Sequence, residues 1–476
     1  MGQSSVQVRG HNRPNLLLFV IFLAIVFLFG GASRGDVVAQ PVARVAAVLM
    51  ALVAATRLRR EDWRRIRPLL LFIGGFAAII AVQLVPLPPG LWASLPGRSM
   101  FAQDLATVDL ASVWRPISMT PDLTLNSLLA LLPPLAVVIA LGAVQPSSYG
   151  ALVSVLLGGI VFSALLGLLQ IGSGEGYFYQ ITNQGSAVGL FANRNHQAAL
   201  LACSMPLLSC WVRLPHPDPA YRRVRVWIAL CFASAVFPFL LITGSRAGLI
   251  LGVFGALMGL AILLRGHRQQ DRPRLSLRRL AIGALPVIIG LAAVAASTML
   301  SRDLAVQRIL EGSPADARTA QLPTYIDMIR DYFPTGSGFG SFDRIYRTYE
   351  SYETLGPSYL NHAHNDLAEI AIEGGAAALV LVIAFLLWFT LKSWRAWRKA
   401  SMSVDGLVKR TGASVGLLLL LASLVDYPLR TPLMSALMAI VCIWLLPTGN
   451  AGADASVGRG MSLPHAEDRG KDTSRE

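Results

Sequence analysis

Residues 151–172 read ALVSVLLGGIVFSALLGLLQIG, and no charged side chain interrupts them. A helix of that length crosses the roughly 30 Å hydrocarbon core of a bilayer. A strand cannot do so alone, because lipid offers no partner to its open edges. Two more blocks of the same character lie on either side, at 15–30 and 376–391. The composition of the whole chain agrees with them. Of 476 residues, 54% are apolar and 14% charged, whereas a soluble domain carries about a quarter charged residues. The sequence therefore describes an all-α polytopic membrane protein.

Continuing outward from these blocks gives about twelve transmembrane helices, near 15–31, 37–56, 68–87, 124–143, 149–172, 195–213, 226–243, 247–264, 280–300, 366–391, 411–427 and 431–447. The first resembles the core of a signal peptide, but the spans behind it mark it as a retained helix. The net charge of +14 sits in short gaps between blocks, as positive-inside cytoplasmic loops do. No nucleic-acid surface is expected from it. With both termini cytoplasmic, inner segments hold 28 Lys and Arg against 12 outside, and 10 acidic residues against 17. The four cysteines all lie inside apolar blocks, so neither a disulfide framework nor a thiolate metal site is expected.

Three regions follow. Residues 1–123 hold the first helices and an outer loop bearing Trp92 and Trp114, 124–447 form the core, and 448–476 are a polar tail expected to be disordered. Within the core, 301–365 is the largest outer loop and is expected to contain short helices. In it Leu322, Ile326, Ile329 and Phe333 recur at helical spacing, which predicts an amphipathic helix against the bilayer or over a cavity. Gly336-Ser337-Gly338-Phe339-Gly340 reads as an irregular glycine turn rather than a phosphate loop.

Four polar clusters fall on the outer, periplasmic face: Asn193-Arg194-Asn195-His196, residues 243–248 around Arg246, residues 361–366 with Glu369 and Glu373 beyond them, and Asp426-Tyr427-Pro428-Leu429-Arg430. Asp426 and Arg430 are expected to pair with each other. Ionisable groups at membrane depth are costly unless they face a cavity or a partner, so clustering on one face points to a site. Arginine forks suit a diphosphate. A histidine with a pKa near 6.5 suits a general base, and His362 and His364 are both placed for it. No third strong ligand stands at metal-binding distance from that pair, and no Asp-x-Asp motif occurs, so no metal or other cofactor is expected. Taken together, these groups fit displacement of a lipid diphosphate by a sugar hydroxyl.

Residues 189–196, Gly244-Ser245-Arg246-Ala247-Gly248, 334–342 and 362–375 resemble, in order and spacing, the O-antigen ligase/polymerase superfamily. The resemblance runs roughly from 124 to 446. It implies a GT-C-like, metal-independent glycosyltransferase of the bacterial inner membrane that takes glycan from undecaprenyl diphosphate. It further implies that Arg246 and Arg194 hold the diphosphate and that His364 activates the acceptor. His196, His362, Asn365, Glu369 and Arg430 complete the candidate set as substrate-binding residues. The acceptor would be lipid A-core in a ligase, growing polysaccharide in a polymerase, or protein. A transporter or flippase is the reading from another class. It is weakened by the gathering of charge at one face rather than near the midplane.

Overall fold

The computed structural model describes residues 12–265, 321–350, 360–398 and 403–448, with positions 288, 292 and 352 between them. Its longer helices are α1 (Asn12–Phe29), α2 (Ala39–Ala55), α3 (Arg60–Gln83), α4 (Pro121–Leu129), α5 (Leu132–Gly142), α6 (Tyr149–Ser173), α7 (Arg194–Arg213), α8 (Pro219–Thr243), α9 (Arg246–Leu264), α10 (Leu322–Tyr332), α11 (Asp366–Arg398), α12 (Val404–Ser423) and α13 (Pro432–Trp444). Among the described residues the only strands are a two-residue antiparallel ribbon, Pro86–Leu87 on Arg115–Pro116. Seven helical stretches are long and apolar enough to cross a membrane: α3, α4 with α5, α6, α8, α9, α11 and α12. Helices α1, α2 and α13 are apolar but shorter. Of the expected span at 280–300 only positions 288 and 292 are described, and the loop from 301 to 320 and the tail after 448 lie outside the described residues. The expected span at 124–143 is two helices, parted at Ala130–Leu131 just before Pro133 and Pro134, whose rings do not fit a helix interior.

Helix α7 is the hub, buried without a gap from His196 to Cys210. A helix wrapped by protein rather than lipid can carry polar side chains if each finds a partner. Ser163 of α6 donates to the Gln197 side chain at 2.6 Å. Helix α9 lies against α7 through glycines. A Cβ at Gly248 would stand 2.3 Å from that of Ala198, and one at Gly255 would stand 2.5 Å from the Ala202 carbonyl oxygen. Small residues allow this approach in membranes, and here it sets the first turns of α7 and α9 side by side.

At the opposite end, arginines cap helix C-termini, where the last carbonyls lack intrahelical partners and carry the negative dipole end. Arg65 donates to Gly142 at the end of α5 at 2.9 Å. Arg213 donates to Ile262 near the end of α9 at 2.8 Å, and Arg225 to Leu214 just past α7 at 3.1 Å.

Helix α11 is broken. Gly375 takes φ +59° and ψ −150°, a region essentially confined to glycine. The backbone groups released by the break are met by the glycine-rich turn. Ala376 N donates to Pro334 O (2.9 Å), Ser337 N to Ile372 O (2.9 Å) and Gly338 N to Glu373 O (3.0 Å). Gln83 Nε2 donates to the same Glu373 oxygen at 2.8 Å. A Cβ at Gly336 would stand 2.3 Å from that oxygen, so the turn must be glycine there. Behind it lies Arg98, fully buried, donating to Ile117 O (2.6 Å) and Gly336 O (3.1 Å) with its guanidinium over the Tyr332 ring. Burial pulls its pKa down to about 10, still charged at neutral pH.

The amphipathic helix exists as α10, but its inward face is aromatic. Tyr325, Met328 and Tyr332 are buried with Phe342 and Tyr346. Of the expected apolar stripe, Leu322, Ile326 and Phe333 are exposed and Ile329 packs on the buried cluster.

Candidate active site

The site is built where α7, α9, α11 and the α12–α13 connection meet. Asn193 caps α7, its side-chain oxygen accepting from Asn195 N at 2.8 Å. Ser245 caps α9, accepting from Gly248 N at 3.0 Å. Asparagine and serine at these positions satisfy N–H groups the helix leaves open. Each cap is followed by an arginine, Arg194 and Arg246, so two cationic side chains stand at two neighbouring positive helix ends. They are close to each other. Gly244, at φ +67°, ends α8, and a Cβ there would lie 3.3 Å from an Arg194 guanidinium nitrogen. Arg246 is exposed and forms no hydrogen bond or ion pair among the described residues. Both features suit capture of an anion.

Asp426 is the buried centre of the arrangement. Its Oδ2 accepts from Asn195 at 2.5 Å and Asn193 at 3.4 Å. Its Oδ1 accepts from Tyr427 N at 3.0 Å and faces His364 Nδ1 at 3.1 Å. His196 Nε2 stands 3.8 Å away, an electrostatic neighbour rather than a hydrogen bond. Burial works to raise the Asp426 pKa, but the imidazoles of His196 and His364 outweigh it and hold the carboxyl well below its ordinary value. An ionised Asp426 fixes the His364 tautomer with the proton on Nδ1, leaving Nε2 as acceptor. His364 holds this position at φ +49°, a left-handed backbone uncommon outside glycine.

A second histidine–carboxylate pair lies beside the first. His362 Nδ1 meets Glu369 Oε1 at 2.7 Å, and Glu369 Oε2 accepts from Ala363 N at 2.8 Å. The Tyr427 ring is the common wall, 4.2 Å from His362, 5.0 Å from His196 and 5.1 Å from His364, centroid to centroid. Asn365 serves as a helix cap, accepting from Ala368 N at 3.0 Å.

Asp426 and Arg430 do not pair with each other, contrary to expectation. Pro428–Arg430 is a 3-10 turn, which carries Arg430 toward the first two turns of α11. There it meets Asp366 (3.2 Å), Glu369 (3.0 Å) and Glu373 (3.3 Å). Burial alone would lower its pKa, but the three carboxylates prevail and raise it above the ordinary arginine value. Among the sequence-predicted residues, His196, His362, His364, Asn365, Glu369 and Arg430 thus form one connected network, with Arg194 and Arg246 along its edge. Asp426, expected from sequence only as the ion-pair partner of Arg430, and Tyr427, given no role there, tie the network together.

Two openings reach it. A small pocket is lined by Asn195, His196, Ala247, Gly248 and Asp426. A cleft of about 1120 Å³ is lined by His362, Asp366 and Arg430 together with Phe72, Phe385 and Phe389. No group of three or more His, Cys, Asp or Glu among the described residues is arranged to hold a metal.

No curated protein matches the sequence. Residues 229–383 match the family model described as O-antigen ligase. That segment contains Arg246, His362, His364, Asn365 and Glu369, while Arg194, His196, Asp426 and Arg430 lie beyond it. Over that segment the chain is similar to the O-antigen ligase family.

Proposed function

We propose that the protein is an O-antigen or polysaccharide ligase, a GT-C-like glycosyltransferase of about twelve spans in the bacterial inner membrane, with both termini in the cytoplasm. It moves a glycan from undecaprenyl diphosphate to an acceptor hydroxyl at the periplasmic face, lipid A-core being the acceptor. The observation that carries this reading is the His364–Asp426 pair set beside two helix ends that each begin with arginine.

In the reaction, Arg194 and Arg246 hold the diphosphate and gain strength as it accumulates charge. The acceptor oxygen forms a bond to the anomeric carbon while its proton passes to His364 Nε2. The bond from the anomeric carbon to the phosphate oxygen breaks, and the lipid diphosphate leaves with the electron pair. Asp426 stabilises the imidazolium so formed, as a buried carboxylate does in other histidine-base sites. His362, held by Glu369, lines the cleft and positions the substrate. Arg430, bound by three carboxylates, acts on substrate through His362 and Glu369.

Purified His364→Ala and Arg246→Lys decide the matter, each checked for monodispersity. Binding of a lipid-diphosphate glycan and single-turnover transfer to lipid A-core are measured. His364→Ala is expected to bind donor as wild type does and to lose transfer, whereas Arg246→Lys is expected to lose donor binding, because ammonium lacks the planar fork. Wild-type transfer by His364→Ala would remove the base assignment.

A further inference from the structure

The cleft of about 1120 Å³ is lined by both His362 and Arg430, and each keeps one nitrogen that the protein does not use. The two side chains meet at one atom. Glu369 Oε1 stands 2.7 Å from His362 Nδ1 and 3.0 Å from Arg430 Nη1. A carboxylate oxygen accepts, so His362 carries its proton on Nδ1 and presents Nε2 as a bare acceptor. Arg430 directs Nε to Asp366 and Nη1 to Glu369 and Glu373, which leaves the N–H groups of Nη2 as donors. Neither His362 Nε2 nor Arg430 Nη2 has a hydrogen-bond partner among the described residues.

An acceptor beside a donor matches a hydroxyl, which donates through its hydrogen and accepts through its lone pairs. The pair does not match a phosphate. Three carboxylates surround the Arg430 charge, so no positive charge is left over for a diphosphate. Arg194 and Arg246 do not line the cleft. Of the other lining cations, Arg34 is paired with Asp36 at 2.6 Å, and Arg344 is exposed, where salt and water screen it. Phe72, Phe385 and Leu417 give the cleft an apolar wall, which suits the hydrocarbon of a membrane-anchored molecule.

We propose that His362 and Arg430 form the hydroxyl-binding subsite for the acceptor. The cleft then admits an uncharged sugar of a lipid-anchored acceptor, while the diphosphate of the donor stays with Arg194 and Arg246. The inference rests on the transfer reading for the roles of donor and acceptor. It gives Arg430 a contact of its own with substrate, besides its action through His362 and Glu369.

The test uses the full-length protein, free of cysteine except for Asn361→Cys, at a position that lines the cleft. Lipid A-core at ten times its Kd is expected to slow thiol labelling there about tenfold, and undecaprenyl diphosphate to leave the rate unchanged. Protection by undecaprenyl diphosphate would give the cleft to the donor and overturn the proposal. Protection by neither would overturn it as well. His362→Phe keeps a ring beside Tyr427 and removes Nε2. It is expected to raise the KM for lipid A-core about tenfold, the worth of one hydrogen bond, with kcat and donor binding held. His362→Gln, whose side-chain oxygen accepts instead, is expected to recover most of that loss. A fall in kcat at unchanged KM would make His362 the base and overturn the subsite. Where His362→Phe does not fold, the labelling decides. Labelling reads binding alone, so protection without transfer by the wild type would refute the transferase reading and uphold the subsite.

Discussion

At φ +49°, His364 occupies a conformation that costs of order 1–3 kcal/mol and persists only where the surroundings impose it. Asp426 and the Asn365 cap impose it here, which holds the imidazole in the orientation that the proposed base role requires. Replacing His364 by Ala is expected to lower turnover by about 10²–10⁴, the range general-base catalysis supplies, with donor affinity intact. Asp426→Asn keeps the shape but no longer fixes the tautomer, so turnover should fall within a similar range of about 10²–10⁴. It also changes acid stability. The Asp426 pKa is depressed on folding, so its contribution is complete above the ordinary carboxylate value and is lost as pH falls through the depressed one. The difference in thermal midpoint between wild type and Asp426→Asn should therefore hold steady from neutral pH to mildly acidic pH. It should close only below the ordinary aspartate pKa of 3.8. A gap that narrows near neutrality would contradict this. Arg430→Met strands three buried carboxylates, which is expected to cost about 3–5 kcal/mol and to appear as lost folded protein before any kinetic defect.

Helix α11 shows how elements, rather than single residues, aim the site. Its break separates the first turns, which carry Asp366, Glu369 and Glu373, from the apolar span below. Gly375→Ala puts a Cβ 2.1 Å from the Pro334 carbonyl oxygen in a backbone region closed to alanine. A loss of about 2 kcal/mol or more is expected from these two effects, measured as thermal stability in detergent. Gly74→Ala in α3, where a Cβ meets nothing within 4 Å, is the control and should be neutral or stabilising. The break was not legible in the sequence. Gly374-Gly375 borders an apolar block, and glycine inside such a block usually stays helical. The turn at 336–340 was legible as irregular, but nothing local tells that its N–H groups serve carbonyls of α11. The histidines and Arg246 were legible because short motifs carry them. The role of Asp426 was not, since it meets Asn195 across 231 positions of chain, and a 3-10 turn, not proximity in sequence, decides which acid Arg430 finds.

Over the whole molecule, apolar blocks and arginine-rich gaps foretold where helices run, and eleven of the twelve expected segments carry a helix among the described residues. The arginines prove to have a second task, capping the helices that end among them, which charge counting alone does not reveal. Sidedness is tested by single cysteines in a cysteine-free background. Those at Ser313 and Ser351 should react with an impermeant thiol reagent in intact cells, and one at Ser276 should not. Reaction at Ser276 would overturn the expected sidedness and with it the proposed periplasmic site.

The wedge in α11 also constrains biogenesis. The carbonyls of Ile372 and Glu373 obtain their partners from Ser337, Gly338 and Gln83, and Gln83 and Arg98 belong to a part of the chain synthesised far earlier. When α11 leaves the translocon, it enters lipid with a gap in its backbone hydrogen bonding, and such gaps are costly in hydrocarbon. The gap closes only when Gln83 and the glycine turn have both met α11. Assembly of this protein is therefore ordered from its amino-terminal half, and a chain arrested before that meeting exposes a defect at the very place where the active site will form.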